Sequence, residues 1–150
     1  MDDFSTHNQA NHFGLRPSPN NKILPGKRPL SSTVPTIVEN ENGGVELVVG
    51  GSGGSRITTG VLQIILNSLV YDFPLNNAVD HGRLHHQLMP DYVEVESGYG
   101  NGIKKVMSEF GHKVEDMPVM ECVVQAIRKV AKDTIFAVSD VRKGGVAAGY

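Results

Sequence analysis

The chain has 150 residues, a hydrophobic fraction of 39% and a net charge of −2. That length suits one domain with a real core, and the charge gives no electrostatic case for nucleic acid or an anionic membrane as a partner. The single cysteine, Cys122, excludes an internal disulfide framework and a cysteine-rich zinc site, and the chain carries no signal peptide or membrane-spanning run of its own.

Residues 1–30 contain Pro17, Pro19, Pro25 and Pro29 and few apolar side chains. They read as an irregular surface segment, too long for an ordinary connection and therefore functional or draped over a body outside the chain. Thr33–Glu39 and Val45–Val49 are rich in β-branched residues, and the intervening "NENGG" supplies turn chemistry, so a hairpin is expected. Gly50, Gly51, Gly53 and Gly54 follow, with only Ser52 among them. Ile57, Val61, Leu62, Ile64, Ile65 and Leu69 then recur at helical spacing and predict a helix over Arg56–Val70. Its apolar face is wide, which suggests burial on more than one side.

Pro74 starts a shorter helix over Leu75–His81. Tyr92–Glu96 alternates as a strand. Ile103, Val106, Met107 and Phe110 fit a helix that Gly111 stops. From Cys122 to Ala131 the pattern is ambiguous. Val123, Ala126, Ile127 and Val130 satisfy helical spacing, yet the run is β-rich and is followed by "KD" and "TIFAVSD", so two antiparallel strands fit about as well. Cys122 itself reads as a small apolar filler in a regular element. No internal repeat or linker divides the chain.

Four stretches attract chemistry. In "MDDF", Asp2 and Asp3 are able to hold an ammonium group or to stand as a solvated pair. In "RPLSST", Ser31 and Ser32 offer adjacent hydroxyls to a carboxylate, or enter a strand with local backbone bonds. The glycine loop is a phosphate cradle, an oxyanion hole or a tight turn. It matches neither the P-loop nor the dinucleotide fingerprint, since Arg56 stands where the latter needs its third glycine. In "DHGRLHHQLMPD", Asp80, His81, His85 and His86 include an i,i+4 histidine pair suited to a metal on a helix. Gly82 weakens the helix such a site needs, and a structural or surface role is the reading preferred.

Taken together, "MDDFS", "PGKRPLSSTVPTI", "VVGGSGGSRITT", "RLHHQLMPD", "VVQAI" and "SDVRKGGVAAGY" resemble the γ-glutamyltransferases, or glutathione hydrolases, in the family's own order and across essentially the whole chain. The resemblance implies an α+β fold, the αββα sandwich of N-terminal-nucleophile hydrolases, incomplete here. It implies a precursor that cuts itself into a large and a small subunit and exposes a threonine. That threonine's hydroxyl attacks a γ-glutamyl amide, with its own α-amine as base. It implies no cofactor and no metal. Asp3 would bind the α-ammonium of the glutamyl group, and Ser31 and Ser32 its α-carboxylate. Gly53 and Gly54 would donate backbone N–H bonds to the oxyanion, and a side chain at either would stand where the scissile carbonyl must come.

The same resemblance places the nucleophilic threonine upstream of "MDDF", and an arginine for the substrate carboxylate on the large subunit. Residues 1–150 are therefore expected to be one partial domain, the C-terminal part of a small subunit, supplying binding and oxyanion residues and inactive alone. The expected partners are glutathione and other γ-glutamyl compounds and the large subunit of the same precursor, with no nucleic acid. The family works at the cell surface, outside the cell or in the bacterial periplasm. The competing readings are a catalytically inactive light-chain-like product with a binding role, and a phosphate-binding module, which lacks the partner lysine and magnesium ligands.

Overall fold

The computed structural model describes residues 4–118 and 120–150. Residues 4–35 form no strand and no α-helix, only a single 3₁₀ turn at Pro19–Asn21 that is capped by the Ser18 hydroxyl. The expected hairpin is present as β1 (Thr36–Glu39) and β2 (Val45–Ser52). Its turn is closed by the Asn40 side chain, whose Oδ1 accepts from the N–H groups of Asn42 and Gly44, both at 3.0 Å. Strand β2 runs on through Gly50 and Gly51, two residues that the sequence assigns to the loop.

Helix α1 (Arg56–Ile65) follows, and its last turn widens into a π-turn over Leu66–Val70, so the helical span has the expected ends. Ile57, Val61 and Ile64 are buried, but Leu62 is 51% exposed and Leu66 37%. Burial on more than one side is therefore not what the described residues show, because none of them covers Leu62 and Leu66 on the outer stripe. Helix α2 (Leu75–Asp80) begins directly after Pro74. Strands β3 (Leu84–His85) and β4 (Val93–Glu96), helix α3 (Asn101–Glu109) and strand β5 (Val114–Met117) come next. Gly111, at φ +87°, lies just past the end of α3. The chain ends with β6 (Val123–Ala131), β7 (Thr134–Val138) and a 3₁₀ turn at Val141–Lys143. The ambiguous run is thus a strand, and its helical spacing is coincidental.

The main sheet has the order β1-β2-β6-β7, all antiparallel. Helices α1 and α2 cover one face. Leu47 and Val49 of β2 and Val124 and Ala126 of β6 pack against Ile57, Val61, Ile64 and Val79. Each leucine, valine or isoleucine among them stabilises the fold by about 1.5–3 kcal/mol. The small sheet, β3-β4-β5, pairs β4 antiparallel with β3 and parallel with β5.

Among the described residues the other face of the main sheet is largely uncovered and apolar at its centre, with Val146–Ala148 bordering it. Ile37, Val48, Ile127 and Ala137 stand side by side in register across all four strands. Ile37 is 64% exposed and Ile127 47%. Among the described residues the main sheet and the helices on it make two layers, half of a four-layer sandwich.

Candidate functional site

The glycine turn joins the end of β2 to the start of α1. Gly53 lies at φ +135° and Gly54 at φ +58°, conformations that favour glycine. Space is as restrictive as conformation. A Cβ at Gly51 would come within 2.7 Å of the Val123 carbonyl oxygen, one at Gly53 would overlap the Glu121 carbonyl, and one at Gly54 would overlap the Phe13 ring. The atoms a side chain would obstruct are therefore those of the chain itself. Among the described residues, neither the Gly53 nor the Gly54 N–H donates to another backbone group, so both donors remain available at the head of a ten-residue helix.

Arg56 locks the turn in place. Its guanidinium grips Glu94 of β4 through Nε at 2.6 Å and Nη2 at 2.7 Å, and reaches Glu121 at 3.0 Å. The hydrogen bond to Glu94 raises the arginine above its ordinary pKa, against a smaller opposing effect of burial. Arg56 also faces the Phe13 ring at 5.6 Å.

The irregular N-terminal segment wraps this turn. The Asn11 Oδ1 accepts from the N–H groups of Phe13 at 3.0 Å and Leu15 at 2.9 Å. Gln87 Nε2 donates to the Phe13 carbonyl at 2.6 Å, and its Oε1 lies 2.9 Å from His85 Nε2. His85 Nδ1 in turn lies 2.8 Å from the Thr59 hydroxyl on α1. Burial pushes the His85 pKa down, which keeps the ring neutral and suits a donor at Nε2 and an acceptor at Nδ1.

Asn21 ties two separate motifs together. Its Nδ2 donates to the Phe4 carbonyl, and its Oδ1 accepts from the Leu30 N–H at 2.8 Å. The residue after Asp3 and the residue before Ser31 thus share one side chain. Asp3 itself lies outside the described residues. The Ser31 hydroxyl donates to Thr33 Oγ1 at 2.8 Å and accepts from the Thr33 N–H, the local bonding expected of a strand entry. Ser32 makes no hydrogen bond among the described residues.

Ser31, Ser32, Gly53 and Gly54 line one cleft of about 580 Å³, with Phe13 at its wall. The histidines are not gathered. His81 closes α2 with its Nδ1 3.2 Å from the Gly82 carbonyl oxygen, His85 sits in β3, and His86 faces Asp91 at 3.4 Å. The His81–His85 spacing is therefore not helical. The helix ends at Asp80, where His81 turns to extended backbone, and Gly82 beyond it leaves no room for a Cβ, which would meet the Tyr99 nitrogen at 2.6 Å. The described residues contain no group of three potential metal ligands. Cys122 is 2% exposed and covers Gly60, which accords with a packing role.

A second charged cluster holds the C-terminal "SDVRKGG" stretch. Asp140, fully buried, accepts from Arg83 Nη2 at 3.0 Å, the Val124 N–H at 2.9 Å and the Arg142 N–H and Nη1, both at 3.0 Å. Arg142 also pairs with Glu96, whose hydrogen bond raises its pKa. Burial lowers that of Arg83, aided by its neighbour Arg142.

The model of the γ-glutamyltranspeptidase family matches residues 1–150. The chain belongs to that family. Glutathione hydrolase proenzyme 1 of Schizosaccharomyces pombe is 45% identical over all of the chain, which spans 24% of that proenzyme. Scoloptoxin SSD20 of Scolopendra dehaani is 41% identical, again over all of the chain and over 76% of its own length. Among solved structures, a mutant γ-glutamyltranspeptidase of Helicobacter pylori superposes with a TM-score of 0.84 at 39% identity, covering 95% of this chain and 78% of that one. The enzyme of Pseudomonas nitroreducens, complexed with L-DON, gives 0.84 at 38% identity, covering all of this chain and 78% of that one. The Bacillus anthracis transpeptidase CapD shares the fold at 22% identity and a TM-score of 0.71, covering 97% of this chain and 91% of that one. The fold is accordingly the N-terminal-nucleophile hydrolase sandwich, of which this chain holds a sheet and its helices.

Proposed function

We infer that residues 1–150 are the C-terminal part of the small subunit of a γ-glutamyltransferase acting as a glutathione hydrolase, and that the cleft of Ser31, Ser32, Gly53 and Gly54 holds the γ-glutamyl donor. The observation that carries this reading is the convergence of two hydroxyls and two uncommitted backbone donors on one cleft, from segments twenty residues apart in sequence. In this reading Ser31 and Ser32 take the donor's α-carboxylate and Asp3 its α-ammonium. Gly53 and Gly54 stabilise the oxyanion, typically about 3–4 kcal/mol of transition-state stabilisation for each such donor.

The chemistry is acyl transfer. The threonine oxygen of the processed subunit forms an ester bond to the γ-carbonyl carbon, the amide C–N bond breaks, and the threonine's proton passes through the α-amine to the departing amine. Water or an acceptor amine then takes the γ-glutamyl group and restores the hydroxyl.

The largely uncovered sheet face supports a partner. The row from Ile37 to Ala137 is the surface that a second sheet of a sandwich covers, and the large subunit of the same precursor is the proposed source. Among the described residues no helix is long and apolar enough to cross a membrane. A cell-surface, extracellular or periplasmic setting rests on the family resemblance alone. The test is release of a chromogenic amine from a γ-glutamyl anilide by the complete processed protein. Turnover lost on replacing both Ser31 and Ser32 by alanine supports the reading, and turnover indifferent to that change overturns it.

A further inference from the structure

Among the described residues that line the cleft, Arg16 is the one charged side chain; the rest are hydroxyls, amides, glycines and apolar groups. It has no hydrogen-bond or ion-pair partner among the described residues. The backbone leading to it is nevertheless anchored. The preceding residue, Leu15, is bonded through both its N–H and its carbonyl to Asn11, each at 2.9 Å, and Gln87 anchors Phe13 two residues earlier. An unpaired guanidinium, always charged and shaped as a planar fork, suits a carboxylate at the mouth of such a cleft.

The γ-glutamyl reading, on which this inference rests, assigns the donor's own α-carboxylate to Ser31 and Ser32. It leaves the positive charge of Arg16 without a counterpart. A second anion on the substrate lies beyond the γ-amide, on the departing amine. We propose that Arg16 binds a carboxylate on the leaving side of the γ-amide, so that the site prefers γ-glutamyl peptides and amino acids with a free terminal carboxylate over neutral γ-glutamyl amides. Binding the departing group in this way leaves the bond changes of acyl transfer as they are. It orients the amide against the Gly53 and Gly54 donors.

The experiment compares two donors on the complete processed protein: a γ-glutamyl dipeptide with a free terminal carboxylate, and the same compound with that carboxylate amidated. The wild type is expected to favour the acid, and Arg16→Gln to lower the acid-to-amide ratio of kcat/KM about five- to tenfold, the scale of one charge-assisted hydrogen bond. Arg16→Lys is expected to recover part of that ratio, since it keeps the charge and loses the fork. An equal loss on both donors would overturn the proposal and place Arg16 at the α-carboxylate instead. No change in the ratio would overturn it outright. A wild type that turns over neither donor refutes the γ-glutamyl reading, and this inference with it. A wild type that turns over both without selectivity refutes only the role of Arg16.

Discussion

The Phe13 ring occupies the space that a Cβ on Gly54 would need, so the N-terminal segment and the glycine turn fit together only while residue 54 is glycine. Gly54→Ala in the complete protein should therefore destabilise the fold through two effects. One is the overlap, and the other is the left-handed backbone at φ +58°, a conformation that costs a non-glycine residue about 1–2 kcal/mol. Adding Phe13→Ala should relieve the first effect only. Denaturant unfolding of the single and double variants should give a coupling of about 0.5–3 kcal/mol, and strict additivity would mean that Phe13 does not rest on Gly54.

Asn21 should matter more than its place in a proline-rich loop suggests. Asn21→Ala removes the bridge between Phe4 and Leu30 and frees the stretches that carry Asp3 and Ser31. The expected result is a several-fold rise in donor KM with a smaller change in kcat, about 1 kcal/mol for each hydrogen bond removed. A fall in kcat at constant KM would show that Asn21 acts on the chemistry rather than on donor binding.

Much of the fold was legible in the sequence because its signals are local. The hairpin announced itself through β-branched runs around "NENGG", α1 through apolar spacing, and the stop of α3 through Gly111. What was not legible depends on distant partners. Tyr92–Glu96 reads as an alternating strand, yet all four residues of β4 are buried, because Glu94 takes Arg56 and Glu96 takes Arg142. Val123 to Val130 satisfied helical spacing, and only pairing with β2 and β7 made it a strand. Ser31, Ser32, Gly53 and Gly54 stood out through residue type and resemblance. Phe13, Asn21 and Gln87 carry no such mark, since their roles exist only once the N-terminal segment folds back onto the turn.

The buried Asp140 cluster should be a weak point for stability. Asp140→Ala leaves Arg83 without its carboxylate at a fully buried position and removes an acceptor from Val124 and Arg142. Breaking a buried pair in this way typically costs about 3–5 kcal/mol. Thermal unfolding of the complete protein should show a marked drop in Tm, and a change within the scatter of surface substitutions would contradict the cluster's role.

His85 gives a pH signature. Its pKa in the folded state lies below the ordinary value, so the unfolded chain binds more protons in the window below about 6.5. Stability from this group is full above that value and falls as the pH drops towards the folded pKa. Melting curves from pH 8 to pH 5 should show a larger loss for the wild type than for His85→Asn, which carries no titrating group at this position. Parallel pH profiles would remove His85 from the account.

The central claim is that one cleft holds the γ-glutamyl donor, and a structure of the complete processed protein with a γ-glutamyl affinity label bound tests it most directly. The account predicts the label's α-carboxylate within hydrogen-bond reach of Ser31 and Ser32, and its former carbonyl oxygen about 2.7–3.1 Å from the Gly53 and Gly54 nitrogens. A label whose carboxylate lies away from both serines, or whose oxygen meets neither glycine N–H, would contradict it.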